Sequence, residues 1–168
     1  MKKFDYKIDF KNTDFRKEPE NYIVGKGEQG VLLVEPYKSE ILPLWKFMTP
    51  EESLISAKSI YSLYLDYRTK NEFPGMDMCR KFLQMGITRS RRYANHKSGK
   101  KYDGLVPDDK KGQSGAHGRK ILPSDPDPVK AACALIFIEY YNLLKNDPVY
   151  QDFKNNHIME YENLENNS

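Results

Sequence analysis

Apolar residues recur at helical spacing in three stretches of this chain. From Leu54, the positions Ala57, Ile60, Tyr61, Leu63, Tyr64 and Tyr67 form one stripe that runs to about Lys70. Thr49-Pro50-Glu51-Glu52 ahead of it supplies an N-cap, a first-turn proline and a capping-box glutamate, so a helix is expected over 50–69. Asn71-Glu-Phe-Pro-Gly75 then breaks the pattern. Met78, Cys79, Phe82, Leu83 and Met85 mark the buried side of a second helix over 77–86, with Asp77 as its cap and Arg80, Lys81 and Gln84 facing away. Ala131, Ala132, Leu135, Ile136, Ile138, Tyr141 and Leu144 mark a third over 128–145, opened by Asp127-Pro128. Asp147-Pro148 repeats that start signal for a short helix over 148–156.

Helical phase argues against extending the second helix. On one continuous wheel Arg89 falls about 20° from Phe82, in the middle of the apolar face. Burying that charge unpaired costs several kcal/mol. A break is the better expectation, with Gly86 as the C′ residue and Thr88 capping a further helix over 88–97. Arg89, Arg91 and Arg92 would then crowd a first turn, each opposing the helix dipole by about 0.3–1 kcal/mol. Such a start is expected to receive an anion; pairing with the protein's own carboxylates is the competing account.

The N-terminal part lacks either period. Residues 1–24 scatter Phe4, Tyr6, Phe10, Phe15 and Tyr22 among charges, as a segment that wraps a core does. Tyr22-Ile-Val, the loop Gly25-Lys-Gly-Glu-Gln-Gly30 and Val31-Leu-Leu-Val-Glu35 read as a β-hairpin over 22–35, its glycines supplying positive φ. The loop matches G-x-G-x-x-G, yet β-branched and apolar residues follow it where a dinucleotide site needs a helix. A kinase hairpin has this order, but no catalytic loop or metal-binding Asp motif follows. Gly25, Lys26, Gly27 and Gly30 stay open as a phosphate-approaching loop beside the plain hairpin reading. Trp45 reads as a core plug. The expected fold class is therefore α+β: a mostly helical single domain over 1–168, its small N-terminal hairpin packed on three to five helices. A long, mobile loop is expected over 98–124 and a frayed tail over 162–168.

Charge changes this picture. Eight of the 27 basic residues fall between Arg80 and Tyr102 with no acid among them, leaving 19 bases against all 24 acids. A net +3 thus conceals a local basic block on an acidic remainder, which argues for an anionic partner. Arg80, Lys81, Thr88, Arg89, Arg91, Arg92, Tyr93, His96, Lys97, Lys100, Lys101 and Tyr102 are the candidate anion-binding residues. No apolar run reaches the roughly 18–20 residues that span a bilayer, and no apolar region follows the N-terminal lysines as in a signal peptide. A cytoplasmic protein without a membrane contact is expected. Cys79 and Cys133 lie in apolar helical patterns and read as buried thiols; His96, His117 and His157 share no ligand spacing, so neither a metal nor a cofactor is expected.

GKGEQGVLLVEPYKSEILPLWKF, FPGMDMCRKFLQMGITRSRRYANHKSGKKYDG and DPDPVKAACALIF, in that order, resemble a family of short cytoplasmic proteins of bacteria, some fungi and tailed phages, catalogued as a domain of unknown function. The resemblance covers nearly the whole chain and implies an intact single domain, in host cytoplasm if phage-encoded; it transfers no catalytic residue. Locally, Lys81 to Arg89 is similar to the turn of a helix-turn-helix, with Arg92 where an apolar docking residue belongs.

Three functions follow. The first is nucleic-acid binding, the cations of this helix-turn-helix-like segment meeting phosphates and Tyr93 and Tyr102 stacking on unpaired bases. The second is binding or turnover of a phosphorylated small molecule such as a nucleotide, clamped by Arg80, Arg89, Arg92 and the Gly25–Gly30 loop, with Tyr93, His96, Glu28 or Asp77 for acid–base work. The third is an adaptor or inhibitor that docks on an acidic protein surface.

Overall fold

Pro50, Pro128 and Pro148 each occupy the first turn of a helix, behind an oxygen-bearing cap. The Glu52 N–H donates to Thr49 Oγ1, the Val129 N–H to Asp127 and the Val149 N–H to Asp147. These local signals set three helix starts where the sequence places them. In the computed structural model, which describes residues 2–163, the helices are α1 (Tyr37–Ile41), α2 (Pro50–Thr69), α3 (Phe73–Asn95), α4 (Pro128–Lys145) and α5 (Pro148–His157). A π-helical turn, Ile158–Glu162, prolongs α5.

The described residues contain no β-strand, so the fold is helical and the expected α+β class is corrected. Gly25, Gly27 and Gly30 do take positive φ, at 67°, 57° and 80°. They build successive tight turns in place of a hairpin: Gln29 N–H to Lys26 O, Val31 N–H to Glu28 O and Leu33 N–H to Gly30 O. Val31 and Val34 turn inward while Leu32 and Leu33 face solvent, a three-residue period that a strand does not have. Side chains from elsewhere take the backbone groups a ladder would need. Glu162 accepts from the Val24 N–H, and Arg80 and Lys81 donate to the carbonyls of Gly27 and Gln29.

The break expected at Gly86 is also corrected, since α3 runs unbroken through the helices expected over 77–86 and 88–97. Angular phase was a valid guide only inside the core. Arg89 lies seven residues beyond Phe82, about 10 Å along the axis, where α3 has begun to leave the core and Arg89 is half exposed. Gly86 serves packing, because a Cβ there would come within 2.5 Å of the Phe137 ring of α4. At its other end α3 starts four residues before Asp77. Pro74 falls in the first turn, where its missing N–H costs nothing.

Met76, Met78, Cys79, Phe82 and Leu83 are fully enclosed, so α3 is the axis of the core. α1, α2, α4 and α5 pack around it, and Phe15, Tyr22 and Val24 from the N-terminal wrap close the remaining side. α4 presents Cys133, Ala134, Phe137 and Leu144 inward; of the expected stripe Leu144 is buried, Ile136, Ile138 and Tyr141 are half-buried against the core, and Ala131 and Leu135 are exposed. So many of its residues are apolar that spacing alone does not single out the buried face. Both cysteines are buried free thiols.

Candidate functional site

Asp77 was expected to cap a helix; it lies instead one turn inside α3, with its carboxylate in the core. It accepts from Tyr22 Oη at 2.5 Å, Tyr150 Oη at 2.6 Å and Arg80 Nε at 2.6 Å, with Lys81 Nζ 3.8 Å away. Arg80 and Lys81 were expected on the solvated side. They are buried, because i+3 and i+4 spacing places both cations against Asp77. Arg80 also donates to Gly27 O and to Gln84 Oε1, each at 2.9 Å. Lys81 Nζ donates to Gln29 O at 2.7 Å and sits 4.8 Å from the Tyr22 ring centre.

The charges in this centre follow from those neighbours. Burial works against the Asp77 carboxylate, but Arg80 and Lys81 outweigh it and hold its pKa well below the ordinary range. Burial, reinforced by Asp77, pushes the Tyr22 hydroxyl upward. Lys81 is brought down to about 7 by burial, with Asp77 opposing the fall. This is a closed internal network that pins the Gly25–Gly30 turns to α3. The loop offers carbonyls to cations there, not N–H groups to an anion, and Lys26 is left at the surface.

Thr88, Arg89, Arg91 and Arg92 lie in the last turns of α3. With no helix starting there, the helix-turn-helix likeness fails, and so does the argument from cations at a helix N-terminus. Near a C-terminus the dipole favours cations. Thr88 Oγ1 donates to Glu28 at 2.9 Å. Burial raises the Glu28 pKa, while Thr88, Arg89 and Arg92 counter the rise. At 100° per residue Arg89, Arg92 and Arg91 span an arc of roughly 160°, with Arg91 exposed and Arg89 and Arg92 half-buried. None of the three forms an ion pair among the described residues.

Beyond α3 the chain makes a ribbon whose base is stitched to the helix end. The Asp125 N–H donates to Asn95 O at 2.6 Å and the Asp127 N–H to Ala94 O at 2.6 Å. Farther out, Asp103 N–H to Lys120 O and Leu122 N–H to Lys101 O, each 2.8 Å, flank a Tyr102–Ile121 bridge. His96 is buried, with Nδ1 2.9 Å from Pro123 O. Lys97 lies 3.8 Å from Asp125 in an exposed pair, and Lys100 and Lys101 are exposed. Tyr93 packs against Phe47 and Gly99, with Lys130 5.6 Å from its ring centre. Lys101 and Arg119 both lie over the Tyr102 ring.

Arg119 is the residue the sequence reading missed. Its guanidinium donates to the carbonyls of Ala116, Gly104 and Gly115, at 2.9, 3.4 and 3.0 Å, and so holds the outer ribbon together. The one available signal was an arginine among glycines, Gly115-Ala-His-Gly118-Arg119. Elsewhere, an open groove of about 630 Å³ is lined by Tyr61, Arg68, Glu139, Asn142, Leu143, Asn146 and Asp147, none of them a candidate from the sequence. There Arg68 is paired with Asp147 at 2.7 Å. Of the expected tail over 162–168, Glu162 is buried and residues 164–168 fall outside the described residues. No group of His, Cys, Asp or Glu among the described residues is arranged to hold a metal ion. No helix among them is long and apolar enough to cross a membrane.

No curated protein and no solved structure matches the chain. A family model described as a domain of unknown function, DUF4385, matches residues 5–160. With its core, its helix order and its basic ribbon all inside that span, the chain belongs to the DUF4385 family.

Proposed function

We propose that this protein binds nucleic acid through backbone phosphates, using the outward arginines of α3 and the adjoining lysines of the ribbon. One observation carries the reading. Arg80 and Lys81 are satisfied inside the core, whereas exposed Arg91 and half-buried Arg89 and Arg92 form no ion pair among the described residues. Lys100 and Lys101 extend the same charge along the ribbon. Outside Arg80–Tyr102 the chain carries 24 acids against 19 bases, yet no carboxylate among the described residues ion-pairs these three arginines and Glu28 is the acid whose charge Arg89 and Arg92 influence, which favours an anion from outside. Arginine suits phosphate oxygens by its planar, two-pronged donor geometry.

Fluorescence anisotropy with labelled DNA and RNA, titrated at several salt concentrations, tests this. Affinity should fall by about 0.7–0.9 log units per decade of salt for each phosphate neutralised. The variant Arg89→Ala/Arg91→Ala/Arg92→Ala should bind weakly and lose about 2–3 units of that slope. Absence of binding by the unaltered protein at low salt defeats the proposal. Binding that survives only without nuclease treatment of a captured partner would assign a protein association to bridging nucleic acid; a nuclease-resistant one would favour an acidic protein surface.

A further inference from the structure

The aromatic rings near these cations are already occupied. Tyr93, half-buried, lies against Phe47, Gly99 and Lys130 with Arg89 6.0 Å from its ring centre, and a Cβ at position 99 would stand 2.4 Å from that ring. Tyr102 lies under Lys101 and Arg119, at 5.5 and 4.9 Å from the ring centre. Trp45, half-buried, is packed on Phe47 and Phe82. Proteins that grip unpaired strands do so with open aromatic platforms lining a basic groove. Here the rings serve as seats for cations, and the open groove of about 630 Å³ is lined by other residues.

What remains is a surface poor in open rings. The ribbon is bonded to the end of α3 by the Asp125 and Asp127 amides and bonded within itself by the Arg119 guanidinium. Cations at set positions on a helix end and the ribbon beside it suit phosphates that are themselves at set positions, and those belong to a double helix. Resting on the phosphate reading above, we infer that the partner is double-helical nucleic acid, held from outside through its phosphates and not by stacking on unpaired bases.

Anisotropy on the full chain, with duplexes of about 20 base pairs in DNA and RNA form and the corresponding single strands, decides the matter. The duplex of at least one kind should bind about tenfold or more tighter than its single strands at equal salt. The Arg119→Ala variant, which frees the ribbon, should weaken duplex binding several-fold while α3 is retained by far-ultraviolet circular dichroism. Equal or tighter binding of single strands overturns the duplex inference and leaves the phosphate reading standing. No binding of any of the four probes overturns both. The DNA and RNA arms show which double helix is meant.

Discussion

Lys81 keeps its ammonium where water does not reach, and that choice is visible in the pH dependence of stability. Its folded pKa is brought down to about 7, against roughly 10.4 in an unfolded chain. Between those values the unfolded state binds the additional proton, so stability rises with pH from about 7 toward 10. Below about pH 7 both states are protonated and this contribution is flat. From about pH 9 the buried Cys79 thiol, pushed up by burial, offsets that rise, and above about 10 the curve turns over. Tyr22, Tyr64 and Tyr150 have raised pKa values, so the unfolded chain loses those protons first. Urea unfolding followed across pH 6–11 should show the rise and the turn, and Lys81→Met should abolish the rise. A rise that persists in the variant would trace the effect to another group. Gly86 gives a second test at this scale. Alanine gains about 1 kcal/mol in helix propensity, but its Cβ would meet the Phe137 ring at 2.5 Å. Overpacking of that kind costs about 1–3 kcal/mol, so Gly86→Ala should be neutral to destabilising in the same assay. A clear stabilisation would mean the two helices are not in close contact there. Neither environment was legible in the sequence. A lysine four residues after an aspartate reads as surface until something covers it, and what covers Lys81 comes from residues 4, 22 and 29.

At the scale of elements, α3 decides the architecture. Hydrogen exchange distinguishes one helix from two, because a break at Gly86 would leave the amides of Thr88 to Arg91 without helical acceptors. In the continuous α3 those amides are bonded within the helix. They should exchange slowly, with Ser90, which is fully buried, among the slowest. Fast exchange at 88–91 beside slow exchange at 78–83 would restore the two-helix reading. The starts of α2, α4 and α5 were legible because cap and proline act within four residues. The continuity of α3 was not, because phase arguments assume equal burial along the whole helix. The hairpin expected over 22–35 failed for a related reason: Val31-Leu-Leu-Val34 has strand composition, but its backbone bonds run to Glu28, Gly30 and Lys38 in local turns, and side chains of α3 and Glu162 take the backbone groups of Val24, Gly27 and Gln29.

For the whole molecule, the division of its cations matters most. One set holds the centre together and another faces outward, and the two should separate cleanly in experiment. Arg89→Ala/Arg91→Ala/Arg92→Ala, the variant expected to lose nucleic acid, should change unfolding free energy by no more than about 0.5 kcal/mol at exposed Arg91 and by about 1 kcal/mol at each of half-buried Arg89, which lies over the Tyr93 ring, and Arg92. A much larger loss would make those arginines structural and deprive the binding result of its meaning. The basic block, its acidic surroundings and the family were open to reading in the sequence, since charge and motif order are properties of the chain itself. So were the starts of α2, α4 and α5, the buried cysteines and the positive φ of Gly25, Gly27 and Gly30. Tertiary structure alone decided which cations are spent on Asp77, that the rings of Tyr93 and Tyr102 are covered, and that Arg119 braces the ribbon. The physical reason is common to all three. A side chain's charge is fixed by its identity, but whether that charge is available depends on neighbours tens of residues away, and only the folded chain brings those into contact.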